Sequence, residues 1–106
     1  MSEKPLKYDQ MKTKWHLLQW NALKQVADVA TFGAEKYGER NWEKGDGLGY
    51  ERLFSACMRH LTEGYLAIHT ANHNRGIDND SQKHHLAHAA WNILAILEEE
   101  MDGAEI

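Results

Sequence analysis

The sequence contains few of the residues that cross-link, interrupt or anchor a chain. It has one cysteine, Cys57, so no disulfide can form within the chain, which fits a reducing cytoplasm. It has one proline, Pro5, so no proline interrupts a helix after that position. No apolar run approaches the ~20 residues that span a bilayer, and the N-terminal MSEKPLKYDQMKTKW has no apolar signal region. We therefore expect a soluble, cytoplasmic and mainly helical protein.

Charge and local motifs exclude several classes of function. The 106 residues carry 12 basic and 16 acidic side chains, a net charge of −4, so binding to a nucleic-acid polymer is not expected. No P-loop, dinucleotide fingerprint or Ser–His–Asp pattern is present. The length predicts one domain over residues 1–106, of which residues 1–14 form a polar arm. A local cluster of Lys and Arg still allows a small anionic ligand.

Apolar residues recur at three- and four-residue steps, which predicts amphipathic helices. Three segments have this pattern: 15–37, 50–69 and 82–101. In the last of them Asp80 or Ser81 is the expected N-cap. Its expected core stripe consists of Leu86, Ala90, Ile93 and Leu97. The predicted fold class is all-α, with three principal helices.

Polar side chains interrupt the second and third helices at helical spacing. At about 100° per residue, His60 and Glu63 lie one turn apart, and His85, His88 and Asn92 share one face. If the two helices pack antiparallel, these polar stripes meet in one cleft. Imidazoles and a carboxylate at this spacing are plausible ligands of a divalent ion. The alternative is that the histidines are half-buried packing residues bonded to carbonyls or carboxylates.

A second group of residues has the chemistry needed to hold a nucleotide. Within FGAEKYGERNW the sequence combines cations, an amide and aromatic rings, which suit phosphate binding and base stacking. The members of this group are Lys36, Tyr37, Arg40, Asn41 and Trp42.

Four stretches in this order resemble a known family: KYDQMKTKWHLLQWNAL, TFGAEKYGERNW, RLFSACMRHL and HHLAHAAWNILAILE. The chain resembles the phage and bacterial family named for the N-terminal region of dATP/dGTP diphosphohydrolases, which is grouped with the all-α MazG-type nucleotide pyrophosphatases. The resemblance covers residues 7–98. It implies a helical, oligomeric enzyme that uses Mg²⁺ to cleave a nucleoside triphosphate to monophosphate and pyrophosphate.

The resemblance also implies roles for individual residues. The two metal-binding pairs of MazG-type enzymes, Glu-x-x-Glu and Glu-x-x-Asp, fall on His60 with Glu63 and on His85 with His88. These four residues are therefore the predicted metal ligands and catalytic residues. The expected ion is Mg²⁺ or Mn²⁺. Because only Glu63 is a carboxylate, Co²⁺, Ni²⁺ or Zn²⁺, which suit imidazoles, are alternatives.

The same resemblance and the residue types predict the substrate contacts. The predicted contacts to phosphate or sugar are Lys36, Arg59 and Asn92, and the predicted contacts to the base are Tyr37 or Trp42, beside Asn41.

Three functions are open at this stage. The first is a metal-dependent diphosphohydrolase of purine deoxynucleoside triphosphates, dATP or dGTP, in the host cytoplasm if a phage encodes it. The second is a protein that binds or sequesters a nucleotide without hydrolysing it, such as a phage factor that captures a nucleotide signal; the single carboxylate favours it. The third is a helical interaction module. Three tryptophans lie on or near apolar stripes, so a homodimer or homotetramer is expected: Trp15, Trp20 and Trp91.

Overall fold

The fold is described by a computed structural model that covers residues 3–103, which includes residues 3–14 of the predicted arm. Its three α-helices are α1, Trp20–Tyr37; α2, Tyr50–His69; and α3, His85–Gly103. Short 3₁₀ turns occupy Trp15–Leu17, Asn41–Glu43 and His73–Gly76. Extended pairing within the described part is limited to one antiparallel bridge between Ile77 and His84. The all-α prediction is confirmed. None of the helices in residues 3–103 has the length and apolar character needed to cross a membrane.

Helices α2 and α3 pack antiparallel at close range because small residues line their contact. The Cys57 thiol donates to the carbonyl of Ala89 at 3.6 Å, and further along the pair Gly64 faces Leu86. A Cβ at Gly64 would lie 2.4 Å from Leu86 Cδ2, so any larger residue at this position would force Leu86 to shift. Four alanines on the two helices are buried: Ala67, Ala87, Ala89 and Ala95. This close approach places the polar residues of α2 and α3 next to each other.

Helix α1 crosses the start of α3. Val26 and Val29 are buried against Ala87, and the Gln25 Oε1 atom accepts a hydrogen bond of 2.7 Å from the His84 backbone N–H. The helix begins at Trp20 rather than near residue 15 as predicted. All of residues 3–19 are exposed, so no packing stabilises additional helical turns there, and a short helical segment without packing is marginal in water.

Helix α3 begins three residues later than predicted because the preceding segment forms its own turn. Asp78 Oδ1 accepts from the backbone N–H groups of Asp80 and Ser81 at 3.1 and 2.8 Å, and Gln82 has a left-handed φ of 62°. Neither Asp80 nor Ser81 caps the helix. His84 does so instead, because its Nδ1 atom accepts from the Leu86 N–H at 3.0 Å.

The predicted core stripe of α3 is wrong in part. Ile93 and Leu97 are each 51% exposed, whereas Asn92 and Ala95 are buried. Residues 84–97 contain no charged side chain other than histidine, so both faces of this part of α3 are suited to burial and periodicity alone cannot select one. The small residues of the alanine face allow the close approach to α2, and the larger aliphatic side chains lie on the opposite face.

Candidate metal and nucleotide site

Three histidines from α2 and α3 form one cluster. The Nδ1 atoms of His60 and His85 are 2.8 Å apart. The ring of His60 stacks on that of His88, with centroids 4.5 Å apart and an interplanar angle of 16°. All three side chains are half-buried. The antiparallel packing therefore brings together three of the four residues that the sequence predicts as metal ligands.

Asp78 is the acidic member of the cluster, and sequence reasoning missed it. One ligand atom each from His60, Asp78 and His85 lies within 4.8 Å of the others. Burial by itself raises the pKa of Asp78, but the backbone N–H of Ser81 and the nearby His88 outweigh it and hold the pKa below its ordinary value. The carboxylate is therefore ionised at neutral pH. The only signal in the sequence is an aspartate a few residues before a histidine-bearing helix, in a segment that otherwise indicates a loop.

Glu63, the predicted carboxylate ligand, forms a different interaction. Its Oε2 atom accepts from Arg75 Nε at 3.0 Å, and the two side chains are 42% and 40% exposed. The hydrogen bond from Arg75 is the main reason that the pKa of Glu63 is lowered. Its carboxylate is thus engaged by the 3₁₀ turn that follows α2, and it is not part of the His60–Asp78–His85 group.

His88 is held by the turn before α3. Its Nε2 atom lies 2.6 Å from Ser81 Oγ and 3.9 Å from Asp78 Oδ1. Because serine and aspartate share one ring nitrogen, this is not the relay of a Ser–His–Asp triad, in which they bond opposite nitrogens. Ser81 Oγ accepts from the Lys83 N–H at 3.2 Å, and in the Nε2–H tautomer of His88 it accepts from that ring as well, which leaves Nδ1 of His88 unprotonated.

Two histidines of the cluster, His60 and His88, are uncharged at neutral pH. Burial, followed by the charges of His88 and His85, lowers the pKa of His60 to about 4. Burial also lowers the pKa of His88. A neutral imidazole has a lone pair available, and this is the form that binds a metal ion. His60 is therefore in the form that can bind a metal ion over the physiological range of pH.

A cleft of about 820 Å³ extends from this cluster between the three helices and the loop after α1. Seven of the predicted site residues line it: Lys36, Tyr37, Asn41, Trp42, His60, His88 and Asn92. Lys36 Nζ lies 2.6 Å from Asp80 Oδ2 across the cleft. Arg59 lies elsewhere, on a shallow surface beside Met58, Thr62 and Glu63. The structure thus groups most of the predicted substrate contacts with the histidines, and leaves Arg59 outside.

Asn92 is the deepest polar group of the cleft. Only 6% of it is exposed, and its Nδ2 atom donates to the His88 carbonyl at 2.8 Å. That bond orients the amide, and no donor within residues 3–103 reaches its Oδ1 atom. An oriented amide with a free acceptor suits recognition of a hydroxyl or amino group.

Aromatic rings and a further arginine lie along the same cleft. Trp42 and Trp91 meet edge to face with centroids 5.9 Å apart, and Arg52 also lines the cleft. Sequence reasoning did not single out Arg52, although it lies two helical turns from His60 on the same face of α2. The four-residue spacing that connects His60 to Ala56 continues to Arg52, and this is the signal in the sequence that points to Arg52.

Comparisons with known proteins identify the family to which this chain belongs. The family description dATP/dGTP diphosphohydrolase, N-terminal, matches residues 2–106. A protein of Salmonella phage PMBT28 named dATP/dGTP diphosphohydrolase is 35% identical over 91 residues, which cover 86% of this chain but 28% of that relative. The chain thus spans less than a third of the relative's length. No solved structure matches it. From the match over nearly its whole length, the chain belongs to the dATP/dGTP diphosphohydrolase N-terminal family.

Proposed function

We propose that this chain binds a purine deoxynucleoside triphosphate in the cleft and hydrolyses it to monophosphate and pyrophosphate with the help of a divalent ion. The observation that carries the proposal is the position of the candidate ligands. His60 and Asp78 both line the cleft that also contains Lys36 and Trp42. The candidate metal ligands, the ammonium group of Lys36 and the ring of Trp42 therefore face one cleft, which is large enough for a nucleotide. The name of the phage relative supplies the expected substrate class.

The donor atoms fit a divalent metal ion. Two imidazole nitrogens and one carboxylate oxygen, from His60, His85 and Asp78, lie within 4.8 Å of one another. This mixed set suits Mn²⁺, Co²⁺, Ni²⁺ or Zn²⁺ better than Mg²⁺, which prefers an all-oxygen shell. When bound, such an ion supplies Lewis-acid polarisation of a phosphoryl oxygen and neutralises negative charge.

The chain's own residues supply positioning and proton transfer. Lys36 attracts the phosphate chain, and the Asn92 amide accepts a hydrogen bond from the sugar. Water adds to the α-phosphorus, the bond to the α–β bridging oxygen breaks, and pyrophosphate leaves with the electron pair of that bond. His88, which lines the cleft in its neutral form, is the group we assign to accept the proton of the water.

The direct test is pyrophosphate release from each of the four common deoxynucleoside triphosphates, with Mg²⁺, Mn²⁺, Co²⁺, Ni²⁺ or Zn²⁺. We expect purine substrates to be cleaved, and the Asp78→Asn variant to lose turnover. His73→Gln is the matched control, because His73 is exposed on a 3₁₀ turn and does not line the cleft. Turnover that is unchanged in Asp78→Asn contradicts the proposed role of this site.

A nucleotide-binding protein without turnover is the second candidate. The observation in its favour is that Asp78 is the one carboxylate among the three clustered ligands, since Glu63 pairs with Arg75. This alternative predicts that dGTP or dATP raises the melting temperature of the protein without releasing pyrophosphate. The hydrolysis assay and a thermal-shift assay on one sample therefore separate the two functions.

We also propose that the chain works as a homodimer or homotetramer. Large side chains on the face of α3 that points away from α2 are exposed to solvent: Ile93, Leu94, Leu97 and Met101. The radius of gyration is 17.7 Å, whereas a compact domain of ~100 residues has about 13 Å. Apolar faces of this kind are usually covered by another chain. Light scattering at micromolar concentration should give a mass above that of the monomer, and a monomeric mass contradicts the proposal.

A further inference from the structure

The cleft has two chemically different ends, and α2 connects them. Arg52, Ala56 and His60 lie at four-residue intervals on one face of α2, and all three line the cleft. Over eight residues the helix rises about 12 Å. His60 belongs to the metal-ligand group, so Arg52 marks the opposite end of the cleft.

The end beside His60 is charged. Asp78 and His88 are there, and Lys36 is held at the same end by its ion pair with Asp80. These groups suit phosphates and their counter-ions.

The end beside Arg52 is aromatic. Leu48 lies two residues before the start of α2, and its N–H donates to the Trp42 carbonyl at 3.1 Å. Trp42 is therefore near the N-terminus of α2, and it contacts Trp91 of α3. Flat aromatic walls at this end suit a nucleobase.

Asn92 lies between the two ends. It is one turn beyond His88 on α3, and the small side chain of Ala56 faces the same cleft from α2. A nucleotide with its phosphates near His60 would thus place its sugar beside Asn92 and its base beside Arg52. This orientation rests on the proposed function.

Arg52 is the cleft cation with no acidic partner among residues 3–103. Lys36 pairs with Asp80, and Arg40 pairs with Glu43 through its Nε and Nη2 atoms. The Arg52 guanidinium appears in no such ion pair, so its planar set of donors is available to a ligand.

From this geometry we propose that Arg52 recognises the base and selects guanine over adenine. A guanidinium carries donors only. The outer edge of guanine presents two acceptors, O6 and N7, which match the guanidinium fork. Adenine presents N7 beside an amino donor, which does not match it. The Arg52 contact therefore stabilises guanine through two hydrogen bonds and adenine through one at most.

The experiment measures binding of nucleoside monophosphates by calorimetry, so that hydrolysis is not needed. We expect wild-type protein to bind dGMP more tightly than dAMP. Arg52→Ala should weaken dGMP binding by about tenfold and dAMP binding by less than about twofold, because one bidentate contact is lost. 7-Deaza-dGMP, which lacks the N7 acceptor, should bind wild-type protein more weakly than dGMP. In Arg52→Ala the two ligands should bind alike.

Two further variants make the result decisive. Arg52→Lys retains the charge but loses the fork, so it should lose most of the preference for guanine. Lys24→Ala removes a positive charge from α1 outside the cleft and should leave the preference unchanged. Equal weakening of dGMP and dAMP in Arg52→Ala, or a preference retained in Arg52→Lys, overturns the assignment. Binding with the expected preference but no hydrolysis of dGTP would instead overturn the proposed activity alone.

Discussion

The Nδ1 atoms of His60 and His85 lie 2.8 Å apart, although 25 positions separate the two residues in the sequence. At this distance, and without a metal ion, one ring must donate a proton to the other, because two lone pairs facing each other repel. A divalent ion between the rings would use both lone pairs. The same contact therefore serves as a hydrogen bond in the free protein and as part of a ligand set in the proposed holoprotein.

Loss of one of these rings should remove metal binding. We expect His85→Asn to weaken Co²⁺ binding by about 100-fold or more, beyond the loss typical of a group that only supports a ligand. Calorimetry, together with the visible absorption of bound Co²⁺, measures this without reference to turnover. His69→Asn, a change to an exposed residue of the same helix as His60, is the control. Equal affinities of the two variants would exclude His85 as a ligand.

The metal-free protein should lose stability on mild acidification. The pKa of His60 in the folded chain is about 4, below its ordinary value of 6.5. Between these values the unfolded chain binds a proton that the folded chain does not, so the free energy of unfolding falls as the pH falls. A contribution of about 3 kcal/mol is expected to be fully present above pH ~6.5 and lost by pH ~4.

Urea unfolding at several pH values in the presence of a chelator measures this loss. His60→Gln should show a shallower dependence on pH than wild-type protein, with a remainder from His88, whose pKa is also lowered. A free energy of unfolding that is the same at pH 7.5 and 4.5 would contradict the burial of uncharged histidines.

Two glycine substitutions should have opposite effects on stability. Gly64→Ala places a methyl group 2.4 Å from Leu86 Cδ2 and should destabilise the protein by about 1 to 3 kcal/mol, as overpacking does. Gly33→Ala adds a methyl group with no atom within 4 Å, inside α1, and should stabilise it by about 0.5 to 1 kcal/mol. Chemical unfolding of both variants tests this. If Gly64→Ala is as stable as wild-type protein, the two helices do not approach as closely as described.

The ion pair between Lys36 and Asp80 should compete with a bound phosphate. Both residues line the cleft, and the hydrogen bond that Lys36 donates to Asp80 is the main reason that the pKa of Lys36 is raised. Asp80→Asn frees the ammonium group, so we expect tighter binding of pyrophosphate at low salt and little change in stability, since the pair is largely exposed. Lys36→Ala should weaken binding instead. Calorimetry at two salt concentrations measures both changes, and weaker binding in Asp80→Asn would contradict the competition.

The three helices and most of the histidine cluster could be predicted from the sequence alone. Helical periodicity is a local property, so α2 occupies the predicted residues, and the spacing of His85 and His88 places both on the side of α3 that meets His60. Antiparallel packing of α2 and α3 is a condition of this prediction, because the connection over residues 70–84 is long enough to allow either direction. The aromatic and basic residues after α1 likewise stand out by residue type alone.

The fourth member of the cluster and the face that α3 presents to α2 depend on the tertiary structure. Asp78 joins the histidines because its own turn, closed by the N–H groups of Asp80 and Ser81, directs it there, and no periodic pattern describes such a turn. Glu63 does not join the cluster, because its carboxylate pairs with Arg75 of the 3₁₀ turn after α2. The approach of Asp78 to His60 and the pairing of Glu63 with Arg75 both join segments that lie apart in the sequence. The orientation of α3 likewise depends on which face allows the closest approach to Gly64, a property of two helices together rather than of either one.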